Sequence, residues 1–260
     1  MAYTIDLTGK KGIVFGVANH RSIAWAIAQA LDEAGMQLAI TYQNDRLKEN
    51  VVKLAPTLHQ PPLLLQCDVT DEANVQQTFS SVREQFGDLA TLVHSVAFAN
   101  RDDISGEFLK TGWDGYRLAL QVSAYSLLPL VRHATPLMEA KGGNIVAMTF
   151  QASTRVFPGY NVMGTAKAAL EHEVRQLAYE LGPKNIRLNA ISAGPLDTLA
   201  ARGIHGFVDM KKEHADRAPL RRNITHREVA TTALFLVSDL ASGVTGEIVH
   251  VDAGYSVMGM

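Results

Sequence analysis

What most limits the fold of this chain is an alternation that runs its whole length. A short apolar run is followed by a stretch with helical spacing, and the pair repeats. Seven apolar runs occur: Gly12–Gly16, Met36–Tyr42, Pro62–Cys67, Leu89–Val96, Gly143–Thr149, Ile186–Ser192 and Glu247–Asp252. They are largely apolar rather than alternating, the pattern of strands covered on both faces. Between them, helical spacing runs over Ser22–Gly35, Asp45 to about Pro56, Asp71–Gly87, Trp113–Met138, Tyr160–Leu181 and Thr225–Asp239, and His205–Arg217 reads as loop and helix. Ser22 and Gly35 suit the two ends of the first helix. Thr225 with Glu228 reads as a capping box. Pro129 is expected to interrupt the long helix from Trp113.

Strands that alternate with helices pair in parallel through right-handed crossovers. The expected fold is therefore α/β: a single Rossmann-type, doubly wound domain with about seven parallel strands and helices on both faces. No linker or repeat divides residues 1–260, so one dinucleotide-binding and catalytic domain is expected.

Charge and cysteine content exclude several classes. The formal charge is −2 and no long Lys/Arg run occurs, so neither nucleic acid nor an anionic membrane is an expected partner. The single cysteine, Cys67, excludes an internal disulfide framework and a multi-thiolate metal site. It lies in the apolar run LLLQCDV and reads as a buried strand residue. Nine histidines are scattered singly, so no metal is expected. The opening MAYTIDLTGK lacks the apolar core of a signal peptide, and no apolar stretch reaches membrane-span length. A soluble cytoplasmic protein is expected.

In an open parallel sheet, ligands sit beyond the carboxyl ends of the strands. After the first strand comes GVANHRSIA. Gly16 permits a tight turn there, and the amides of Ser22 and Ile23 can meet a pyrophosphate. The segment is not a G-x-G-x-x-G match and is equally an ordinary strand–helix turn. After the second strand, Gln43 and Asn44 are neutral, while Asp45 and Arg46 carry opposite charges. This is where an adenosine ribose is read, or simply a solvated helix start. Asp68 and Val69, after the third strand, flank an adenine or make a local turn. After the fourth strand, HSVAFA is small and apolar enough to let a flat cofactor pass, and His94 itself reads as a core histidine.

The stretch PGYNVMGTAK carries the chemistry. Tyr160 and Lys167 lie seven residues apart, nearly two helical turns, so both are expected on one helix face about 10 Å apart. Lys167 then leans back toward Tyr160. An ammonium there favours phenolate and makes the phenol a readier proton donor. The plain alternative is a buried tyrosine with a snorkelling lysine.

These motifs together resemble the short-chain dehydrogenase/reductase superfamily, and within it the divergent bacterial enoyl-[acyl-carrier-protein] reductase type with Tyr-x6-Lys. The resemblance rests on GVANHRSIA, TYQND, CDV, HSVAFA, PGYNVMGTAK, RLNAISAGP, APLRR and VDAGYSVMGM and covers essentially the whole chain. It implies NADH-dependent reduction of the trans-2 double bond of enoyl thioesters in fatty acid biosynthesis, with NADPH as the alternative cofactor. The thioester would be carried on acyl carrier protein or coenzyme A.

By the same resemblance, Tyr160 holds the enolate oxygen and Lys167 binds the nicotinamide ribose. Gly16, Ser22 and Ile23 cradle the pyrophosphate, Gln43 lies by the adenosine ribose, and Asp68 and Val69 lie by the adenine. Ser95 and Ala97 run along the cofactor, and Thr198 contacts its nicotinamide side. Ala99, Phe150 and Tyr160 contact substrate, residues 199–217 form a lid, and the assembly is a homotetramer.

Three positions depart from the family pattern. Phe150 stands where a second tyrosine is frequent, and it cannot hydrogen-bond a thioester. Ala97 replaces a frequent glycine and narrows the space beside the nicotinamide. Asp197 replaces a frequent basic residue, so either its carboxylate points away from the pyrophosphate or cofactor affinity is lower than usual. Two rivals stay open at this point. A 3-ketoacyl or carbonyl reductase of the same fold would show T-G-x-x-x-G-x-G, N-N-A-G and Tyr-x3-Lys, none of which occurs. A non-catalytic dinucleotide-binding protein would not require both Tyr160 and Lys167.

Overall fold

The structure, a computed structural model, describes residues 4–199, 201 and 206–259. In chain order its elements are β1 (Lys11–Phe15), α1 (Ile23–Glu33), β2 (Gln37–Tyr42), α2 (Asp45–Leu54), β3 (Leu63–Gln66), α3 (Glu72–Phe86) and β4 (Thr91–His94). Then follow α4 (Arg101–Ser105), α5 (Trp113–Leu120), α6 (Leu127–Met138), β5 (Gly143–Thr149), α7 (Asn161–Leu181), β6 (Ile186–Ala193), α8 (Phe207–Arg217), α9 (His226–Val237) and β7 (Ile248–Val251). His205, the expected start of the loop and helix over His205–Arg217, lies outside the described residues.

All seven strands pair in parallel, in the order β3-β2-β1-β4-β5-β6-β7. One apolar layer, with α1 and α9 packed together, covers one face of the sheet. The other layer packs α3, α6 and α7 against the opposite face. Both faces of β1 are thereby buried, which is why its sequence is apolar without alternation. The strand order reverses between β1 and β4. The crevice above their carboxyl ends is the topological switch point at which such sheets bind ligands.

The expected ends of the helices hold at several points. Asp71 accepts bonds from Ala73 N and Asn74 N at the start of α3, and Gly87 closes it at φ +79°. Thr225 and Glu228 make the reciprocal capping box of α9.

The interruption expected at Pro129 falls elsewhere. Pro129 lies in the first turn of α6, where its missing N–H has no intrahelical acceptor to lose. The break is a π-type turn over Gln121–Tyr125. Its cause is long-range. Ser123 Oγ accepts from Phe98 N at 3.0 Å and donates to Phe98 O at 3.1 Å, so the wide turn clamps the segment that follows β4. Wide turns of this kind are frequent at functional sites.

Candidate active site

A cleft of about 980 Å³ opens above the switch point. Gly16 builds its floor. Its φ is +103°, a conformation that only glycine adopts without strain, and a Cβ there would overlap the carbonyl oxygen of Ser95. Ser95 N donates to Phe15 O at 3.2 Å, so the two strand ends are laced together at this contact.

The helix behind this turn differs from expectation in one respect. Ser22 occupies the N-cap of α1, but its side chain does not cap it. Its Oγ instead accepts from Ala18 N and Asn19 N at 3.0 and 3.1 Å and shapes the loop. Ser22 N donates to Asn19 O at 3.0 Å. Of the two amides expected to meet a pyrophosphate, Ser22 N–H is therefore already engaged. Ile23 N–H, the first of α1, remains for an anion at the positive end of the helix.

At the adenosine end, Gln43, Asp68 and Val69 all line the cleft. Asn44 does not join them; it caps α2, accepting from Leu47 N at 3.2 Å, as a helix start requires. Asp68 makes the local turn weighed from sequence. Its Oδ1 accepts from the Thr70 amide and hydroxyl, and its Oδ2 accepts from Gln43 Nε2 at 3.4 Å. Burial opposes the charged form of Asp68, but these hydrogen bonds hold its carboxyl below the usual value.

The post-β4 segment brings Ser95, Ala97 and Ala99 to the same cleft, with Thr198 from the loop after β6. Thr198 Oγ1 accepts from Ala201 N at 3.1 Å. His94 is fully buried, as expected of a core histidine. Its Nε2 lies 2.8 Å from Ser126 Oγ, and burial pushes the imidazole down to about 3.

Two expectations about PGYNVMGTAK are corrected. Tyr160 is not inside the helix but at the N-cap of α7, and Asn161 after it has φ +28°. Asn161 Nδ2 donates to Gly106 O at 2.6 Å, which ties this strained start to the end of α4. Nor does the Lys167 ammonium draw the phenol toward phenolate. Burial raises the Tyr160 phenol well above its ordinary value. Lys167 Nζ turns to the carbonyl of Met148 at the end of β5, 2.8 Å away. Burial lowers Lys167 to about 8, against a pull upward from Glu171. The pair presents a neutral hydroxyl donor and a buried ammonium to one cleft.

Phe150 closes this end. Its ring stands edge-on to Tyr160 with centroids 5.0 Å apart and tilted on Phe157 at 4.7 Å. The wall beside the phenol is therefore apolar. Asp197 points to Lys211 of α8, whose Nζ is 2.7 Å from Oδ2. This bond, with lesser pulls from Arg21 and His226, lowers the Asp197 carboxyl below its usual value. The carboxylate is thus neutralised rather than aimed at the cleft.

Sequence reasoning missed much of the apolar part of the cleft: Ile104, Leu118, Val122 and Met163. Met163 was within reach of helical periodicity, three residues after Tyr160. The others come from separate elements and carry no local signal. Of the expected lid, Leu199, Ala201, Phe207 and Met210 line the cleft, and residues 200 and 202–205 lie outside the described residues.

A family profile described as "Enoyl-(Acyl carrier protein) reductase" matches residues 16–256. The NADH-dependent enoyl-[acyl-carrier-protein] reductase of a Nostoc species is 49% identical over 98% of this chain and 100% of its own length. That of Bacillus cereus is 50% identical over 97% of this chain and 99% of its own. The crystal structure of a Bacillus cereus enoyl-acyl carrier protein reductase with NADP+ and an indole naphthyridinone superposes with a TM-score of 0.95. It is 49% identical and covers 98% of this chain and 99% of that one.

Proposed function

This chain belongs to the enoyl-(acyl carrier protein) reductase family and reduces the double bond of enoyl thioesters with NADH, and we propose that Tyr160 and Lys167 are the residues that carry the reaction. The supporting observation is their shared cleft, in which a phenol kept protonated by burial stands before a buried ammonium.

The cleft fits a dinucleotide. Gly16 lets the end of β1 approach the Ser95 carbonyl where any Cβ would clash, which shapes the cleft floor, and Ile23 lines the cleft at the start of α1. Gly16, the Ser22 hydroxyl and Ile23 N–H would hold the pyrophosphate, Gln43 the adenosine ribose, and Asp68 and Val69 the adenine. Ser95, Ala97 and Thr198 lie along the nicotinamide half, and Lys167 holds its ribose. When bound, NADH supplies the hydride that the substrate's β-carbon accepts.

The residues do the rest. Electron density displaced from the double bond gathers on the thioester oxygen. The Tyr160 hydroxyl donates a hydrogen bond to that oxygen, and Lys167 stabilises the negative charge from behind. A proton from solvent then completes the α-carbon. The raised phenol suits a hydrogen-bond donor rather than a general base. Phe150, Ala99 and the apolar wall take the acyl chain, and Leu199, Ala201, Phe207 and Met210 cover it.

The thioester is carried by acyl carrier protein, with coenzyme A thioesters as the alternative, and NADPH is the alternative cofactor. The cytoplasmic location rests on the family resemblance. No described helix is long and apolar enough to cross a membrane. It assembles as a homotetramer, a reading that rests on the resemblance.

NADH deuterated at its transferable position tests the mechanism. With a trans-2-enoyl thioester in ordinary water, deuterium is expected at the β-carbon of the saturated product and solvent hydrogen at the α-carbon. Deuterium at the α-carbon would overturn the assignment.

A further inference from the structure

Lys167 is 5% exposed, and an isolated ammonium at such a depth would lose its proton rather than its water. One turn further along α7, on the same face, stands a second buried charge. Glu171 is 4% exposed, and its Oε1 accepts from the Thr149 hydroxyl at 2.8 Å. Met148 and Thr149 are consecutive residues at the end of β5. Lys167 therefore binds the carbonyl of one and Glu171 the hydroxyl of the next. Two successive turns of α7, one cationic and one anionic, are fastened to the same strand end.

We propose that Glu171 is a positioning residue for the reduction: through Thr149 it fixes the strand end that aims Lys167, and its carboxylate keeps Lys167 an ammonium. This rests on the role given to Lys167 above.

The groups that face Lys167 can be named element by element. On its own helix, Tyr160 is neutral and Glu171 is the anion that favours the charged lysine. From β4, His94 is neutral, held down by burial and by the Lys167 charge. Arg175 reaches the far oxygen, Oε2, of Glu171 at 3.8 Å and is half-exposed, so solvent screens it. Against the burial that pulls Lys167 down to about 8, the Glu171 carboxylate is the one opposing influence on it.

The test is the pH dependence of enoyl-thioester reduction between about pH 6 and 10, with wild type, Glu171→Gln, Glu171→Asp, Thr149→Val and Lys167→Met, and NADH affinity measured beside it. A lysine needed in its charged form gives an activity that falls on the alkaline side. Removing an opposite charge lowers the pKa, so in Glu171→Gln that fall is expected about one unit lower in pH or more. Glu171→Asp keeps the charge and is expected to restore most of the profile. Thr149→Val keeps the charge but loses the bond, and is expected to reduce kcat without moving the alkaline limb.

A folded Glu171→Gln with an unmoved limb would overturn the inference and leave Lys167 in its role. If Glu171→Gln does not fold, Thr149→Val decides, since an unchanged kcat without the Thr149 to Glu171 bond overturns the proposal. An active Lys167→Met would instead remove the reading on which the proposal rests, and the inference with it.

Discussion

Replacing Tyr160 by phenylalanine is expected to lower kcat by about 10²–10³-fold, the usual cost of deleting one oxyanion donor. NADH affinity is expected to persist, because the Tyr160 hydroxyl meets the thioester oxygen and not the dinucleotide. The substitution is close to isosteric. It keeps the edge-on contact with Phe150 at 5.0 Å between centroids, so a collapse of the local packing is not the expected cause of the loss. Phe150 also offers no second hydroxyl to substitute for the one removed. Steady-state kinetics paired with a fluorescence titration of NADH separates the two effects. Unchanged turnover would take Tyr160 out of the mechanism.

Gly16→Ala is the second large effect. A Cβ at Gly16 lies 2.6 Å from the carbonyl carbon of Ser95 and overlaps its oxygen, at φ +103°. Strain at such a backbone angle alone costs about 1–3 kcal/mol. The clash adds to it because the obstacle is main chain, held to β1 by Ser95 N to Phe15 O, and not a side chain that can turn aside. A total loss of about 3 kcal/mol or more is expected on denaturant unfolding, with NADH binding lost at the same time. Gly9→Ala supplies the control. Gly9 has φ +78° but nothing within 4 Å of its Cβ position, so only backbone strain, about 1 kcal/mol, is expected. Equal losses in the two variants would show that the close approach at the switch point carries no energy.

The frame is legible in the sequence because burial on both faces writes each strand as an apolar run. β5 falls on Gly143–Thr149 with no residue to spare, and α9 begins where Thr225 and Glu228 place it. The residues around the switch point are legible too, since they follow strand ends and the sheet order brings those ends together. What is not legible is set by contacts far apart in the chain. The π-type turn at Gln121–Tyr125 depends on Phe98, twenty-five residues before Ser123. The direction of Lys167 is set by Met148, nineteen residues before it on another element. Spacing of seven residues suggests a phenol and an ammonium acting on each other, but burial dominates both groups. The partner of Asp197 is Lys211, fourteen residues on, and no local pattern specifies that pairing.

One measurement bears most directly on the enoyl reductase assignment: the loss of reduced-nicotinamide absorbance, followed with NADH and NADPH in parallel. A medium-chain trans-2-enoyl thioester and a 3-ketoacyl thioester are offered separately. Oxidation of NADH with the enoyl substrate and none with the ketone is the expected result. Oxidation only with the ketone, or with neither substrate while NADH still binds, would contradict it.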